Sequence, residues 1–212
     1  MAADAFDRHD LVSVLEGGAD PLPDTVPGPA RRAWEAAGRP LIRRRGGASG
    51  DVPLGLPLPP AMGKARIALW LPPERLGARP TPALGAAAVR APACWQATLA
   101  QVQALARDYA VWVSPYGALL WEALLGLPYL HADSDLDLLW RCPGGVPAGL
   151  LADLTHLAAR APMRIDGEVV VDGHGVHWRE LAAADHGDAV LCRHRAGVGM
   201  RAAAAFRSPC PA

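Results

Sequence analysis

The sequence predicts an α+β fold in two parts, a small N-terminal α/β unit and a larger C-terminal domain with a mixed sheet flanked by helices. Two observations lead to this prediction. Short apolar runs typical of strands alternate with amphipathic stretches that have the period of helices. A segment rich in Pro, Ala and Gly at 72–92 interrupts the alternation, and we expect it to link or cover two halves. The predicted domains are therefore 1–80 and 81–212.

Composition sets the class of protein. The 212 residues are 51% apolar, which is enough to bury a core in each half. Basic and acidic residues both total 21, so no net charge attracts nucleic acid or an anionic membrane. The first residues lack a basic leader followed by an apolar run, and no apolar stretch reaches membrane-spanning length, so we expect a cytoplasmic protein. The four cysteines have no CxxC spacing, which argues against a zinc cage and favours ordinary thiols.

The N-terminal elements follow from periodicity and turn residues. Apolar and helical patterns place a strand, a helix and a second strand at 11–15, 30–37 and 41–42. The stretch VPLGLPLPP at 52–60 has too many prolines for a helix or a central strand, so an ordered extended loop is expected. The next strand is predicted at 64–71.

The C-terminal half continues with alternating helices and strands. Helices are predicted at 95–109, 119–125, 146–161 and 178–184, and strands at 110–113, 134–140, 163–171, 176–178 and 189–193. The Asp172-Gly173 pair predicts a hairpin between two of these strands. The tryptophans at 70, 95, 112, 121 and 140 fall mostly on apolar faces and are expected in the core.

The most informative segment is SDLDLLW at 134–140. Because side chains alternate along a strand, Asp135 and Asp137 point to one side, about 6.6 Å apart along the chain, and Leu136 points to the other. Two carboxylates placed in this way can share Mg²⁺, which prefers carboxylate, phosphate and water oxygens. The alternative is an amphipathic strand with a solvated acidic face.

A glycine turn precedes this strand in the sequence. The segment VWVSPYG at 111–117 brings a strand into a turn that opens a helix, where free backbone N–H groups can point at a phosphate. Gly117 lets the backbone approach a ligand closely. Alone, it would be no more than a tight-turn residue.

A third carboxylate is expected on a neighbouring strand. The segment MRIDGEVVV offers Asp166 and Glu168, which face one way if the strand is regular, and the small Gly167 between them leaves room for a ligand. We favour Asp166, as a metal ligand or as acceptor of a proton from an incoming hydroxyl. The alternative is a solvent-facing charge in a hairpin, and Glu168 stays open as the third carboxylate.

Four segments carry a resemblance to a known family. They are RHDLV at 8–12, VPLGLPLPP with GKARIAL at 52–69, YGALLWEALLGLPYLHADSDLDLLW at 116–140 and RIDGEVV at 164–170. The chain resembles the phosphoribosyl-dephospho-CoA transferases that serve malonate decarboxylase, also described as malonate decarboxylase holo-acyl-carrier-protein synthases. Its strand, glycine turn, helix and acidic strand are similar to those of the DNA polymerase beta-like nucleotidyltransferase superfamily, which implies a polymerase beta-like C-terminal domain.

The resemblance implies a magnesium-dependent reaction. The serine hydroxyl of an apo acyl carrier protein of malonate decarboxylase attacks triphosphoribosyl-dephospho-CoA, and diphosphate leaves. Asp135 and Asp137 match the catalytic, metal-binding pair of the family, while Gly117, Ala118 and Ser134 are expected at the substrate. Ala118 stands where the superfamily usually has serine, which removes a hydroxyl contact and leaves the backbone donors.

Two basic residues complete the predicted site. Lys64, the only lysine in the chain, and Arg66 alternate to one face of their predicted strand and are expected to contact phosphates of the substrate. His174 and His177 lie three residues apart in the predicted hairpin and do not face the same way, so no metal site is expected there. Two other functions are considered, a nucleotidyltransferase acting on a small-molecule hydroxyl and a non-catalytic nucleotide-binding module.

Overall fold

The computed structural model describes residues 6–46 and 50–207 and contains two compact units. The first unit comprises the chain up to Thr81 together with the later segments Trp121–Tyr129 and Arg195–Gly197. The second comprises Pro82–Leu120, Leu130–His194 and the chain from Val198. Cys210 lies outside the described residues.

The first unit contains a five-stranded antiparallel sheet and a helix that connects the first two strands. Its elements are β1 (Leu11–Val14), α1 (Gly28–Ala36), β2 (Pro40–Arg43), β3 (Val52–Pro57), β4 (Arg66–Leu71) and β5 (Leu76–Arg79), with strand order β4-β3-β2-β1-β5. The buried Trp34 of α1 donates its indole N–H to the carbonyl of Pro40 at 2.9 Å, which ties the helix to β2. The predicted strands and helix of this region are present, each within two residues of its expected start.

The proline-rich segment is a strand, so the predicted loop at 52–60 is wrong. β3 lies inside the sheet, between β2 and β4. It is paired with β2 only at Leu54 and Gly55. The two prolines of the strand, Pro53 and Pro57, fall outside that short stretch. The Pro53 carbonyl accepts from the Arg44 N–H at 2.9 Å, so its polar backbone atoms face away from β4 and its missing N–H breaks no bond to that strand.

Two further expectations for this unit are corrected. The segment at 72–92 is not simply a linker, because β5 within it pairs with β1 along the edge of the sheet. Lys64 does not belong to a strand, since β4 begins at Arg66 and Lys64 adopts a left-handed backbone (φ 51°) in the preceding turn. Lys64 and Arg66 therefore do not share a strand face.

The second unit contains a six-stranded mixed sheet. Its strands are β6 (Trp112–Pro115), β7 (Leu136–Arg141), β8 (Ile165–Val171), β9 (His174–His177), β10 (Ala189–Arg193) and β11 (Val198–Ala202), in the order β11-β10-β9-β8-β7-β6. Only β7 and β8 are parallel among these neighbours. The helices that begin in this unit are α2 (Leu84–Ala88), α3 (Gln96–Asp108), α4 (Gly117–Leu125), α5 (Leu150–Ala158) and α6 (Trp178–Ala183), and the part of α4 from Trp121 is assigned to the first unit. The expected α+β class with a mixed sheet flanked by helices is confirmed.

The two faces of this sheet differ in chemistry. One face carries fully buried apolar side chains such as Leu136, Leu138 and Val169, and α3 and α6 contact the strands. Burying each such side chain contributes about 1.5–3 kcal/mol. The residues that alternate with them, Asp137 on β7 and Asp166 on β8, therefore point to the opposite face.

Local backbone chemistry explains the observed boundaries. Asp172 (φ 46°) and Gly173 (φ 76°) both have left-handed backbones, the pattern of a two-residue hairpin turn, and they join β8 to β9 as predicted. Ala110 also has a left-handed backbone (φ 51°) and ends α3, so β6 begins two residues later than expected.

Two of the tryptophans expected in the core are exposed. Trp95, Trp121 and Trp140 are buried, whereas Trp70 and Trp112 are 56% and 66% exposed. Cys142 is buried, and burial raises the pKa of its thiol to about 12. Among the described residues, none of the helices combines the length and the apolarity needed to cross a bilayer.

Candidate active site

Two acidic residues are paired across the parallel strands β7 and β8. Asp137 and Asp166 are Cα partners in the register, so their side chains lie next to each other on the same face. β7 begins at Leu136, which places Asp135 just before the strand, whereas the sequence predicted it inside. The alternation of side chains along β7 therefore orients Asp137 but not Asp135, whose position is shown by its contacts.

Arg164 connects Asp135 with Asp166. Its guanidinium lies 3.8 Å from Asp135 Oδ2 and 3.1 Å from Asp166 Oδ2. More than half of the Arg164 side chain is exposed, so the pair adds at most about 1 kcal/mol to stability. It nevertheless shows that the carboxylates of Asp135 and Asp166 are both within reach of one cationic group.

The carboxylate of Asp137 lies against Gly117, the first residue of α4. A Cβ at Gly117 would overlap Asp137 Oδ2, and the backbone there is left-handed (φ 58°). The Tyr116 N–H donates to the Asp137 carbonyl at 2.9 Å and holds the turn against β7. The predicted strand, glycine turn and helix are present, but the space beside Gly117 is filled by Asp137.

The space beside Gly167 is also filled. A Cβ at Gly167 (φ 121°) would overlap the backbone of Leu138 on β7. The glycine therefore allows the two parallel strands to approach each other, and it does not leave room for a ligand as predicted. Asp166 and Glu168, on either side of it, are both half-buried, as expected for residues that share one face.

His177 holds Asp166 from the neighbouring strand. Its Nε2 lies 2.6 Å from Asp166 Oδ1, and its Nδ1 accepts the N–H of Arg179 at 3.2 Å at the start of α6. Asp166 Oδ1 also accepts the N–H of Gly167 at 2.8 Å. The two oxygens of Asp166 thus have different partners, His177 and Gly167 for Oδ1 and Arg164 for Oδ2.

Glu168 has a cationic partner of its own. Its Oε1 lies 3.6 Å from Arg193 on β10, and its side chain is 12% exposed. The structure thus places Glu168 in an ion pair and Asp166 beside Asp137. Asp166 is also ion-paired, with Arg164, so what distinguishes the two acids is the register, in which Asp166 is the partner of Asp137 and Glu168 is the partner of Leu139. Asp166 as the third carboxylate stays a prediction.

The other predicted substrate residues have separate surroundings. The Ser134 hydroxyl accepts the N–H of His131 at 2.9 Å, so it stabilises the turn before β7. Ala118 is half-buried in the first turn of α4. Lys64 and Arg66 are exposed and belong to the first unit, and their contact with phosphates stays a prediction.

The acidic residues of the site carry the type of ligand atom that magnesium prefers. Mg²⁺ usually takes one or two carboxylates and completes its shell with water and phosphate oxygens. Within residues 6–46 and 50–207, no three acidic, histidine or cysteine side chains converge closely enough to hold a metal by themselves. Asp135, Asp137 and Asp166 offer oxygen donors of the kind that Mg²⁺ takes, and the expected magnesium site stays a prediction.

The sequence did not predict the contacts of Arg164 and His177 with Asp166. Arg164 immediately precedes β8, where a strand parallel to β7 brings it beside the acidic residues. His177 is the register partner of Glu168, so the hairpin places it next to Asp166. The Asp172-Gly173 turn was the available signal, because a two-residue hairpin fixes this register.

Comparisons with known proteins agree across both parts of the chain. The family described as phosphoribosyl-dephospho-CoA transferase MdcG N-terminal domain matches residues 7–82, and the corresponding MdcG C-terminal domain matches residues 83–204. No solved structure matches the chain significantly, so the polymerase beta-like superfamily stays a prediction.

Several relatives carry the same name. A phosphoribosyl-dephospho-CoA transferase of Xanthomonas campestris pv. campestris is 42% identical over 187 residues, which cover 82% of this chain and 85% of the relative. One of Bradyrhizobium diazoefficiens is 39% identical over 185 residues, with 82% and 81% covered. One of Pseudomonas putida is 33% identical over 185 residues, with 82% and 83% covered. The chain therefore belongs to the phosphoribosyl-dephospho-CoA transferase family.

Proposed function

We propose that this chain transfers the phosphoribosyl-dephospho-CoA group from triphosphoribosyl-dephospho-CoA to a serine of the acyl carrier protein of malonate decarboxylase. The observation that carries the proposal is the register pairing of Asp137 with Asp166 beside the first turn of α4. Membership of the family supports the group that is transferred, because its relatives are named phosphoribosyl-dephospho-CoA transferases.

The acidic residues have distinct roles in this proposal. Asp135 and Asp137 would hold Mg²⁺, which supplies charge neutralisation for the polyphosphate. The first backbone N–H groups of α4 have no partner within the helix and are suited to a phosphate oxygen. Gly117 keeps Asp137 against this helix terminus.

Asp166 is assigned as the acceptor of the serine hydroxyl proton. The serine oxygen forms a new bond to the phosphorus attached to ribose, the bond from that phosphorus to the departing diphosphate breaks, and the hydroxyl proton passes to Asp166 Oδ2. Oδ1 is already occupied by His177 and Gly167, so Oδ2 is the oxygen that can take the proton once Arg164 gives up its contact.

The proposal is tested by the mass of the carrier. The apo carrier subunit, triphosphoribosyl-dephospho-CoA, Mg²⁺ and the purified protein should give a carrier whose mass increases by that of the prosthetic group. Asp137→Asn should reduce the rate by at least about 100-fold, because the variant loses a carboxylate that would hold the Mg²⁺ beside the polyphosphate. Asp133→Asn is the matched control, since Asp133 is an exposed acid four residues upstream, outside the paired strands.

Three outcomes separate the alternatives. No mass shift with the unmodified protein would refute the proposed reaction. Adenylation of a small hydroxyl compound in the presence of ATP would favour another nucleotidyltransferase. Substrate binding without turnover would favour a non-catalytic nucleotide-binding module.

A further inference from the structure

His177 makes two different contacts through its two ring nitrogens. Nδ1 accepts the N–H of Arg179 at 3.2 Å, where the side chain caps α6. Nε2 lies 2.6 Å from Asp166 Oδ1. Both contacts are intramolecular, and the side chains of His177 and Asp166 are only 29% and 20% exposed.

The cap determines which nitrogen carries the hydrogen. A ring nitrogen that accepts a backbone N–H has its lone pair free and carries no hydrogen. The hydrogen of the neutral ring is therefore on Nε2, where it is donated to Asp166 Oδ1. The imidazole of His177 thus links the start of α6 to the orientation of the Asp166 carboxylate.

We propose that His177 is a positioning residue for Asp166 in the transfer reaction. This inference rests on the proposed function. With Oδ1 held by His177 and by the Gly167 N–H, the carboxylate plane is fixed and Oδ2 is turned toward the side that Arg164 and Asp135 share. Asp166 is thereby presented next to its register partner Asp137.

A second reading gives His177 only a structural role, as the cap of α6. Two substitutions separate the two contacts. In His177→Asn the amide oxygen lies near the position of Nδ1, so the cap is kept, but the side chain is too short to reach Asp166. In His177→Gln the amide nitrogen reaches the position of Nε2, so the donor to Asp166 is kept and the cap is weakened.

The experiment measures kcat and KM for carrier modification, the urea midpoint of unfolding and the affinity for Mn²⁺ by electron paramagnetic resonance. His177→Asn should keep the midpoint and KM of the unmodified protein but lose about 10- to 100-fold in kcat, a part of the roughly 100- to 10,000-fold that a well-placed proton acceptor contributes. His177→Gln should recover most of kcat with a lower midpoint. Mn²⁺ affinity should follow kcat, because a displaced Asp166 weakens the charge beside Asp137.

The opposite pattern would overturn the inference. If His177→Asn is as active as the unmodified protein, or if kcat follows the urea midpoint in both variants, His177 is a cap and nothing more. Failure of the proposed function is recognised separately, by an unmodified protein that does not modify the carrier. In that case the Mn²⁺ affinities decide, and equal values in all three proteins would overturn the positioning role as well.

Discussion

At the residue scale, Gly117 and Asp137 fix each other's position. The Asp137 carboxylate occupies the volume that any Cβ at residue 117 would need, and the left-handed backbone at Gly117 independently disfavours other residues. The carboxylate is thereby held next to the first turn of α4. A small change at residue 117 should consequently lower the rate of the reaction.

Gly117→Ala should displace the Asp137 carboxylate and reduce carrier modification by about 100-fold, the effect expected of a shift of about 1 Å at a reacting centre. The rate is measured from the mass of the carrier. Gly144→Ala is the control, because Gly144 also has a left-handed backbone (φ 76°) and open space around it. Equal activity of the two variants would show that the contact between Gly117 and Asp137 has no functional role.

At the scale of elements, the approach of β7 and β8 determines where the acidic residues lie. The parallel register pairs Asp137 with Asp166, and Gly167 allows the contact because a side chain there would overlap the Leu138 backbone. Because this overlap is with the neighbouring strand, Gly167 serves the contact between the strands and does not line a ligand pocket. Its replacement should affect stability first.

Gly167→Ala should lower the free energy of unfolding by at least about 2 kcal/mol, since overpacking and an unfavourable backbone conformation add together. Urea denaturation followed by circular dichroism measures the difference. Gly199→Ala, on strand β11 of the same sheet, is the matched control because nothing lies near its Cβ position. A loss of the same size in both variants would contradict the role assigned to the β7–β8 contact.

At the scale of the whole molecule, each compact unit is built from segments that are not consecutive in the sequence. The segment Trp121–Tyr129 belongs to the first unit, although it follows α2 and α3 of the second. Within that unit, the Tyr129 hydroxyl donates to the carbonyl of Pro57 at the end of β3, at 2.9 Å. Burial raises the pKa of Tyr129, so the hydroxyl keeps its hydrogen as donor.

Tyr129→Phe should destabilise the protein by about 1–2 kcal/mol, because the half-buried Pro57 carbonyl loses its hydrogen-bond donor. The change is measured as a shift of the urea midpoint. Tyr109→Phe is the control, since the Tyr109 hydroxyl contacts Asp153 at 2.7 Å on an exposed surface, where the loss should be below about 0.5 kcal/mol. Equal effects of the two substitutions would contradict the role of Tyr129 in the first unit.

The sequence by itself determined the local features of this protein. The periods of its apolar residues located α1, α3 and most strands of both sheets, Asp172-Gly173 specified the hairpin, and the segment around Asp137 led to the family. These features depend on a few neighbouring residues, so local patterns are sufficient to predict them.

Only the tertiary structure decided which distant residues meet. It placed the proline-rich β3 inside a sheet, because both prolines lie outside the short stretch that pairs with β2 and still align with residues of β4. It also brought Arg164 and His177 to Asp166, from the start of β8 and from the next strand. Such contacts depend on strand order and register, which are set by the packing of the whole unit and not by any one segment.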